Sequence, residues 1–199
     1  GVRLVGSEMC IRDSRTTRGR DVAVLFGDGA GAAVLCATEN PTDPGIFSTH
    51  LHADGSFAKE LWTPAPGMGN PKDRVNHAMI ESGDIYPKMN GKTVFMHAVK
   101  RMPEAIMEAF KTNSFSIQDV DLFVFHQANL RINEMVAKQL KIPEEKVFNT
   151  IDRFANTTAA TIPIGLDYAV REGKLKPGML VAMAAFGSGF TWGSALVRW

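Results

Sequence analysis

The residues best placed for chemistry in this sequence begin at His126. Five of the six residues before it are apolar, a run that is short enough for a buried strand and too short for a helix. After it, Ile132, Met135, Val136 and Leu140 recur at helical spacing. His126 is therefore predicted to lie between a strand and a helix, where open α/β sheets bind ligands. There it could act as an acid, a base or a donor, or it could only satisfy backbone groups of the turn.

A second group of candidate residues alternates along the segment 45–55. His50, His52 and Asp54 would lie on one face of a strand, and this arrangement resembles part of a zinc hydrolase site. Zinc needs three or four ligands, and no local motif completes the set. The sequence therefore favours a polar strand face over a zinc hydrolase, and we expect no metal site.

The glycines between residues 27 and 31 fit the G-x-G-x-x-A form of a dinucleotide-binding loop. Such a loop must open a helix, whereas here a short apolar run follows and ends at Asn40 and Pro41. We therefore predict two strands, 22–26 and 32–36, that are joined by a glycine turn.

The composition excludes several classes of protein. The chain has 199 residues, of which 45% are hydrophobic and 22% are charged, an ordinary globular balance. A formal net charge of +1 gives no basic field for nucleic acid. No apolar run reaches the roughly 18 residues that a membrane span needs. Because no signal-peptide pattern opens the chain and only two cysteines occur, we expect a cytoplasmic protein.

The remaining patterns predict further helices and strands. In order, they are a loop-rich segment (57–92), a helix (93–112), the strand before His126, the helix after it, a helix ending at Gly173, and two apolar strands (179–186 and 190–199) around a glycine turn. Pro103 should kink or restart the first helix. Asn156 lies at the start of the third helix, where its role could be only that of an N-cap.

The sequence Phe-Gly-x-Gly occurs twice, starting at Phe26 and at Phe186. Apolar runs flank both copies, and the long interval between them is typical of a half-molecule rather than of a solenoid repeat. This pattern predicts a duplicated fold. Residues 1–40 would be a remnant of the first half, ending in its last hairpin, and residues 41–199 would form the complete second half.

Five motifs together resemble the β-ketoacyl-acyl carrier protein synthase III family of the thiolase-like superfamily. They are LFGDGAGA (25–32), MNGK (89–92), HQANLRI (126–132), NTTAATIP (156–163) and FGSGFTWGSAL (186–196). The resemblance covers about residues 16–199, whereas residues 1–14 match poorly. It implies an α/β thiolase-like fold, in which two similar halves form a five-layer α-β-α-β-α sandwich, and it implies a cytoplasmic homodimer.

The resemblance also implies an acyltransferase of fatty acid biosynthesis. An acyl group would move from coenzyme A to a cysteine, and malonyl-acyl carrier protein would then lose carbon dioxide and attack the acyl-enzyme in a Claisen condensation. No prosthetic group is implied, since coenzyme A and phosphopantetheine carry the acyl groups as thioesters. A polyketide or secondary-metabolite starter synthase of the same fold, or a non-catalytic half that pairs with another chain, remains an alternative.

Five residues of the chain match functional positions of the family. The resemblance implies that a neutral His126 ring and the Asn156 amide donate hydrogen bonds to the enolate oxygen left by decarboxylation. The backbone N–H of Ser188, where family members usually have glycine, would stabilise the oxyanion of the cysteine-bound acyl group. Asn129 and Arg131 would line the entrance for the phosphopantetheine arm and the acidic carrier protein.

The cysteines depart from the family pattern. The family's nucleophile lies in an Ala-Cys-x-Gly setting at a helix N-terminus, which lowers the pKa of such a thiol. Cys10 lies in the poorly matching opening, and Cys36, in an apolar run, is expected to be an inert core residue. The sequence therefore predicts a fragment, about the last three-fifths of an enzyme, that is inactive as an acyltransferase by itself.

Overall fold

The structure, a computed structural model, describes residues 22, 24–37, 44–66 and 75–199, and the backbone of residues 2–6. The strands are β1 (Val2–Gly6), β2 (Ala30–Val34), β3 (Gly45–Ala53), β4 (Leu61–Trp62), β5 (Lys88–Met89), β6 (Leu122–Phe125), β7 (Leu180–Gly187) and β8 (Thr191–Arg198). The α-helices are α1 (His77–Ser82), α2 (Gly91–Asn113), α3 (Leu130–Leu140), α4 (Ile151–Phe154) and α5 (Thr161–Arg171). Short 3₁₀ turns span Gly55–Glu60, Ile117–Asp119, Glu144–Lys146 and Thr158–Ala160.

The central sheet has four strands in the order β3-β8-β7-β6. β6 and β7 are parallel, and the other two pairs are antiparallel. All four side chains of β6 are buried, which requires apolar cover on both faces of the sheet. Phe123 and Phe125 join a core with the apolar stripe of α2 and with α3, whereas Leu122 and Val124 face a second core that includes residues of α5. The apolar run before His126 is thus a buried strand, as predicted, and it lies at one end of the described strand order.

The long helix α2 covers one face of this sheet. Its Met102, Ile106 and Phe110 are almost wholly buried, which confirms the predicted apolar stripe. Pro103 lies inside α2, which continues through it without restarting, and it is one of the buried residues of this helix. None of the helices that the structure describes is long and apolar enough to cross a membrane.

Helix α5 lies between the central sheet and a two-stranded sheet formed by β1 and β2. The contact between α5 and β2 is close: a Cβ on Gly31 would lie 2.3 Å from the Cβ of Pro163. A glycine at position 31 therefore lets the strand approach the helix. Helix α2, the central sheet, helix α5 and the β1–β2 sheet form four successive layers. The α/β class predicted from the sequence is confirmed.

The predicted hairpin between 22–26 and 32–36 is wrong. Val24 and Leu25 form a turn, and β2 pairs with β1 instead. Phe26 forms a parallel bridge to Asn156, so a distant part of the chain takes the hydrogen bonds that a local hairpin would have used. Cys36 follows β2 and is exposed rather than buried. Cys10, together with the other residues of 7–21, lies outside the described residues.

The segment 57–92 contains more regular structure than its turn-rich composition predicts. The 3₁₀ turn after Asp54, the β4–β5 pair and the short helix α1 all lie in its described parts. These elements have at most six residues each, which is too short for hydrophobic periodicity to reveal them.

The close contact between β3 and β8 allows the register of these two strands to be tested. A Cβ on Gly193 would lie 2.6 Å from the backbone oxygen of His50, whereas a Cβ on Gly187 would meet nothing within 4 Å. We expect Gly193→Ala to lower the free energy of unfolding by about 1–3 kcal/mol, because backbone atoms must move. Gly187→Ala, the matched control in the neighbouring strand, should change it by less. Urea unfolding measures both, and equal stabilities of the two variants would contradict the described register.

Candidate active site

His126 lies at the carboxyl end of β6, as the sequence predicts. Its backbone N–H donates to the carbonyl of Ala184 at 2.9 Å, which extends the pairing of β6 with β7 by one residue. Its Nδ1 lies 2.6 Å from the hydroxyl oxygen of Thr161, the first residue of α5. The sheet therefore holds the backbone of His126, and the first residue of α5 holds its ring.

The imidazole of His126 is neutral in the folded chain at physiological pH. Burial lowers its pKa from 6.5 to about 4, because desolvation disfavours the charged form. No carboxylate contributes to this shift. A neutral ring has one N–H and one bare nitrogen, so it can donate one hydrogen bond and accept one.

Asn156 is buried and held through its backbone. Its N–H donates to the carbonyl of Leu25 at 3.0 Å, and its own carbonyl accepts from the N–H of Gly27 at 3.0 Å. Its side-chain Oδ1 accepts from the N–H of Thr158 at 2.8 Å. That bond identifies the oxygen end of the amide. Because Oδ1 is occupied, the donor end, Nδ2, is the part of Asn156 available to a ligand.

A chain of hydrogen bonds connects Asn156 to His126. The N–H of Thr158 donates to Asn156, the carbonyl of Thr158 lies 3.0 Å from the Thr161 hydroxyl, and that hydroxyl contacts the His126 ring. Thr158 has a φ of 51°, in the left-handed region that a β-branched residue rarely adopts. The two candidate residues, thirty positions apart in the sequence, are thus joined through one strained turn. Asn156 is not the N-cap of α5, since Ala160 holds that position.

Gln127 is a structural residue of this region that the sequence analysis did not single out. Its side chain is 1% exposed, and its Nε2 donates to the carbonyl of Phe125 at 2.8 Å. Its Oε1 accepts from the N–H groups of Thr150 and Ile151, at 3.0 and 3.2 Å. Gln127 therefore ties the end of β6 to the start of α4, which leads to Asn156. Its place between His126 and a helix was visible in the sequence, but its burial was not.

Ser188 lies in the turn between β7 and β8, where the sequence predicts it. Its hydroxyl donates to the carbonyl of Leu61 at 2.8 Å, which anchors the turn on β4. Gly189 has a φ of 75° and Phe190 one of 50°. Because β6 and β7 are parallel, this turn and His126 lie at the same edge of the sheet. Within the described residues, no backbone carbonyl accepts the N–H of Ser188.

Asn129 and Arg131 begin α3 at the same edge of the sheet. Asn129 is the N-cap, and its Oδ1 accepts from the N–H of Arg131 at 3.0 Å. Arg131 is exposed and forms no ion pair with the described part of the chain. It lines a shallow groove of about 380 Å³, together with Phe95, Glu134, Met135 and Lys138. The groove offers apolar surface beside a free cation, but His126 does not line it.

His50 and His52 are not arranged as zinc ligands. Both contact one carboxylate, that of Glu108, at 3.2 Å from His50 Nδ1 and 2.7 Å from His52 Nε2. Asp54 instead accepts from the N–H of Ser56 at 3.1 Å and caps a 3₁₀ turn. Among the described residues, no group of three or more histidine, cysteine, aspartate or glutamate side chains is arranged to bind a metal. The polar face predicted for β3 is present, with Glu108 as a partner that the sequence did not reveal.

The layered architecture is that of the thiolase-like condensing enzymes, and comparison with solved structures agrees. The crystal structure of β-ketoacyl-acyl carrier protein synthase III from Thermus thermophilus has a TM-score of 0.79 and 38% identity, over 90% of this chain and 53% of that one. The priming β-ketosynthase of the R1128 polyketide pathway has a TM-score of 0.74 and 33% identity, over 89% of this chain and 51% of that one.

Sequence comparison then gives the family. Residues 2–55 match the model of 3-oxoacyl-[acyl-carrier-protein] synthase III, and residues 110–199 match that of its C-terminal part. The synthase III of Granulibacter bethesdensis is 45% identical over 204 aligned positions, which cover all of this chain and 58% of that protein. The chain belongs to the β-ketoacyl-acyl carrier protein synthase III family. It spans a little over half the length of the curated relatives it matches.

The lowered pKa of His126 predicts a loss of stability in acid. Between pH 6.5 and about 4 the unfolded chain binds a proton that the folded chain does not, so the stabilisation is complete above pH 6.5 and is lost as the pH falls. We expect protonation of His126 in the unfolded chain to lower the free energy of unfolding by about 3 kcal/mol over that interval. Urea unfolding of the chain and of His126→Asn across this interval measures it. The variant should have the shallower pH dependence, and parallel curves would rule out a buried neutral imidazole.

Proposed function

We propose that this chain supplies the groups that stabilise malonyl decarboxylation in a condensing enzyme. The observation that carries the proposal is the orientation of Asn156, whose amide oxygen is occupied by Thr158 and whose Nδ2 is therefore the end left for substrate. Loss of carbon dioxide from a malonyl thioester leaves an enolate with its charge on the thioester oxygen. Preorganised donors aimed at that oxygen lower the barrier without reorganising during the reaction.

The electrostatics of the site support this role. Both donors are neutral at physiological pH, and Asn156 is buried, so that little water competes there for the enolate oxygen. The Ser188 N–H, at the same edge of the sheet, would stabilise the oxyanion of the acyl-enzyme in the condensation that follows. Together, His126, Asn156 and Ser188 would serve the two negatively charged stages of one Claisen condensation.

For the whole protein we propose a fatty-acid β-ketoacyl-acyl carrier protein synthase III, acting in the cytoplasm as a homodimer. Its substrates would be an acyl-coenzyme A and malonyl-acyl carrier protein, with thioester carriers in place of a prosthetic group. The acyl transfer needs a thiolate nucleophile, and neither Cys10 nor Cys36 has the Ala-Cys-x-Gly setting of the family. We therefore propose that this chain alone decarboxylates malonyl thioesters but does not complete the condensation.

A second candidate is a starter synthase of polyketide biosynthesis. The likeness to the R1128 priming β-ketosynthase, at 33% identity, favours it as the alternative. The donors would act in the same way there, because the enolate chemistry does not depend on the starter acyl group. The starter group that the whole protein accepts distinguishes the two functions.

Asn156→Asp tests the decarboxylation proposal. An aspartate keeps the oxygen that accepts from Thr158, but it removes the Nδ2 donor and adds a negative charge beside the enolate. We expect the release of labelled carbon dioxide from malonyl-acyl carrier protein to fall by about 10²–10³-fold, the usual effect of losing one oxyanion donor.

Asn149→Asp is the matched control for that variant. Asn149 Oδ1 accepts from Asn133 Nδ2 at 2.8 Å, so the same substitution again keeps an accepted hydrogen bond and adds a charge. The rate of carbon dioxide release by Asn149→Asp should stay near that of the wild type. If Asn156→Asp also keeps near-normal turnover, Asn156 has no part in the mechanism. If the unmodified chain releases no carbon dioxide, it is a non-catalytic half.

We further propose that the groove beside Arg131 receives the acidic carrier protein. Arg131 and Lys138 lie two turns apart on α3, and the groove that they line also includes the apolar Phe95 and Met135 and the acidic Glu134. Arg131 forms no ion pair with the residues that the structure describes, and such an arginine beside an apolar surface suits an acidic partner. The groove begins at the first turn of α3, which directly follows the segment that carries His126.

Arg131→Glu tests this docking. We expect the affinity for malonyl-acyl carrier protein, measured by calorimetry at low salt, to fall at least about tenfold, or roughly 1.4 kcal/mol. The effect should shrink at high ionic strength, because salt screens exposed charges. Lys176→Glu is the control, since Lys176 precedes β7 at the opposite edge of the sheet. Equal losses in both variants would point to non-specific attraction and not to docking at this groove.

A further inference from the structure

A second group of polar side chains connects β3 with α2. The hydroxyl oxygen of Ser48 lies 2.9 Å from His50 Nε2, and the two residues, two positions apart, share one face of β3. The other ring nitrogen, Nδ1, lies 3.2 Å from Oε1 of Glu108 on α2. A serine, a histidine and a carboxylate are thus arranged as nucleophile, base and orienting group, the order in which serine hydrolases use them.

The contacts at both ends of this group direct its protons. An ionised carboxylate only accepts hydrogen bonds, so His50 Nδ1 carries a proton toward Glu108, and Nε2 of the neutral ring is bare. Asn113 Nδ2 donates to the carbonyl of Ala109 at 2.8 Å, which identifies the nitrogen end of that amide. The same Nδ2 donates to Ser48 Oγ at 2.6 Å. The proton of the Ser48 hydroxyl is therefore left for His50 Nε2.

Glu108 is held in place by a second histidine. His52 Nε2 lies 2.7 Å from Glu108 Oε2, and the His52 ring stacks on Trp192 with the ring centres 5.6 Å apart. The hydrogen bond from His52 is the main cause that lowers the pKa of Glu108, so this carboxylate is ionised at neutral pH. One of its oxygens is thus fixed by His52, while the other faces His50.

The serine is accessible and lies next to aromatic rings. Ser48 is half-buried, and the side chain of Glu108 is 44% exposed. The register of β3 with β8 shifts between Ile46 and Ser48, which makes Phe47 the extra residue of a bulge. Phe47 contacts Phe115 edge to face, with the ring centres 5.1 Å apart. This aromatic pair offers apolar surface to a small acyl group on the serine.

This group is separate from the residues proposed for decarboxylation. Ser48 pairs with Leu196, five positions after Thr191, the first residue of β8. At about 3.4 Å per residue, Ser48 therefore lies about 17 Å along the sheet from the turn that carries Ser188. His126 follows β6, at the other end of the described strand order from β3.

We propose that Ser48, His50 and Glu108 form a second acyl-transfer site, which hydrolyses activated esters of small apolar acids. His50 Nε2 takes the hydroxyl proton of Ser48 while Oγ bonds to the acyl carbon and the bond to the leaving group breaks; the proton then passes to that group. Water next attacks the acyl-serine: His50 takes a proton from the water and returns it to Oγ, and the carboxylic acid leaves. Because the site is open to water, which competes for the oxyanion, only esters with good leaving groups should react fast. The proposal does not depend on the roles of His126 and Asn156.

A fluorophosphonate tests the nucleophile without any turnover. It forms a bond from phosphorus to an activated serine oxygen, and fluoride leaves with the proton that His50 has taken. We expect the full chain to be labelled at Ser48, as located by mass spectrometry of its peptides. Ser56 is the internal control, since its hydroxyl donates to Asp54 at 2.5 Å without a histidine. Absence of the label from Ser48, or equal labelling of both serines, overturns the proposal.

Hydrolysis of p-nitrophenyl acetate tests the other two residues. The rate above that of Ser48→Ala should fall by about 10²–10⁴-fold in His50→Gln, the usual contribution of a general base. It should fall at least about tenfold in Glu108→Gln, which removes the charge that orients the ring. Glu104→Gln, the control on the same helix, breaks only a pair with Arg101 at 2.8 Å and should keep the wild-type rate.

Two outcomes would overturn the hydrolase activity. One is a wild-type rate in His50→Gln with a wild-type circular dichroism spectrum, since the serine would then react without its base. The other is a chain that is labelled at Ser48 but hydrolyses the ester no faster than Ser48→Ala. If His50→Gln does not fold, the label on Ser48 relative to Ser56 in the wild-type chain still decides whether the serine is activated.

Discussion

The parallel pairing of β6 with β7 is the constraint on which the candidate site depends. Both strands are apolar and covered on two faces, so their register is fixed by cores on either side of the sheet. The hydrogen bond from the His126 N–H to the Ala184 carbonyl continues that register past the last residue of β6. The histidine is thus positioned by a buried pair of strands, while its ring extends beyond β6 and contacts Thr161 of α5.

Asn156 depends on a different part of the molecule. Its backbone is bonded to Leu25 and Gly27, and a Cβ on Gly27 would lie 2.1 Å from the carbonyl oxygen of Phe154. The glycine of the first Phe-Gly-x-Gly sequence is therefore needed for close approach to the turn that carries Asn156. The two copies of this sequence have different local structures here, since the second one ends β7 and leads into a hairpin. What the two copies share is that backbone groups of each lie close to the candidate site.

Sequence reasoning predicted the strands and helices around the candidate site better than the hydrogen bonds that connect them. The strand before His126, the helix after it and the final hairpin follow from long apolar patterns, which local physics and burial reinforce. The pairing of β2 with β1 and the bridge from Phe26 to Asn156 did not follow, because tertiary partners determined them. Gln127 and Thr161 were visible only as polar residues in two motifs. Their roles arise from hydrogen bonds between segments that are far apart in the sequence.

The strained turn at Thr158 explains how a site of neutral donors can be held in place. A non-glycine residue in the left-handed region costs roughly 1–3 kcal/mol, and Thr158 has a φ of 51°. In that conformation its N–H meets Asn156 Oδ1 and its carbonyl accepts the N–H of Thr161. One residue thereby occupies the acceptor end of Asn156 and accepts from the hydroxyl that contacts His126. Charged donors would need no such arrangement, because an ammonium or imidazolium has no acceptor to hide. A carboxamide does have one, and the hydrogen bond from Thr158 selects which end of Asn156 is left for a ligand.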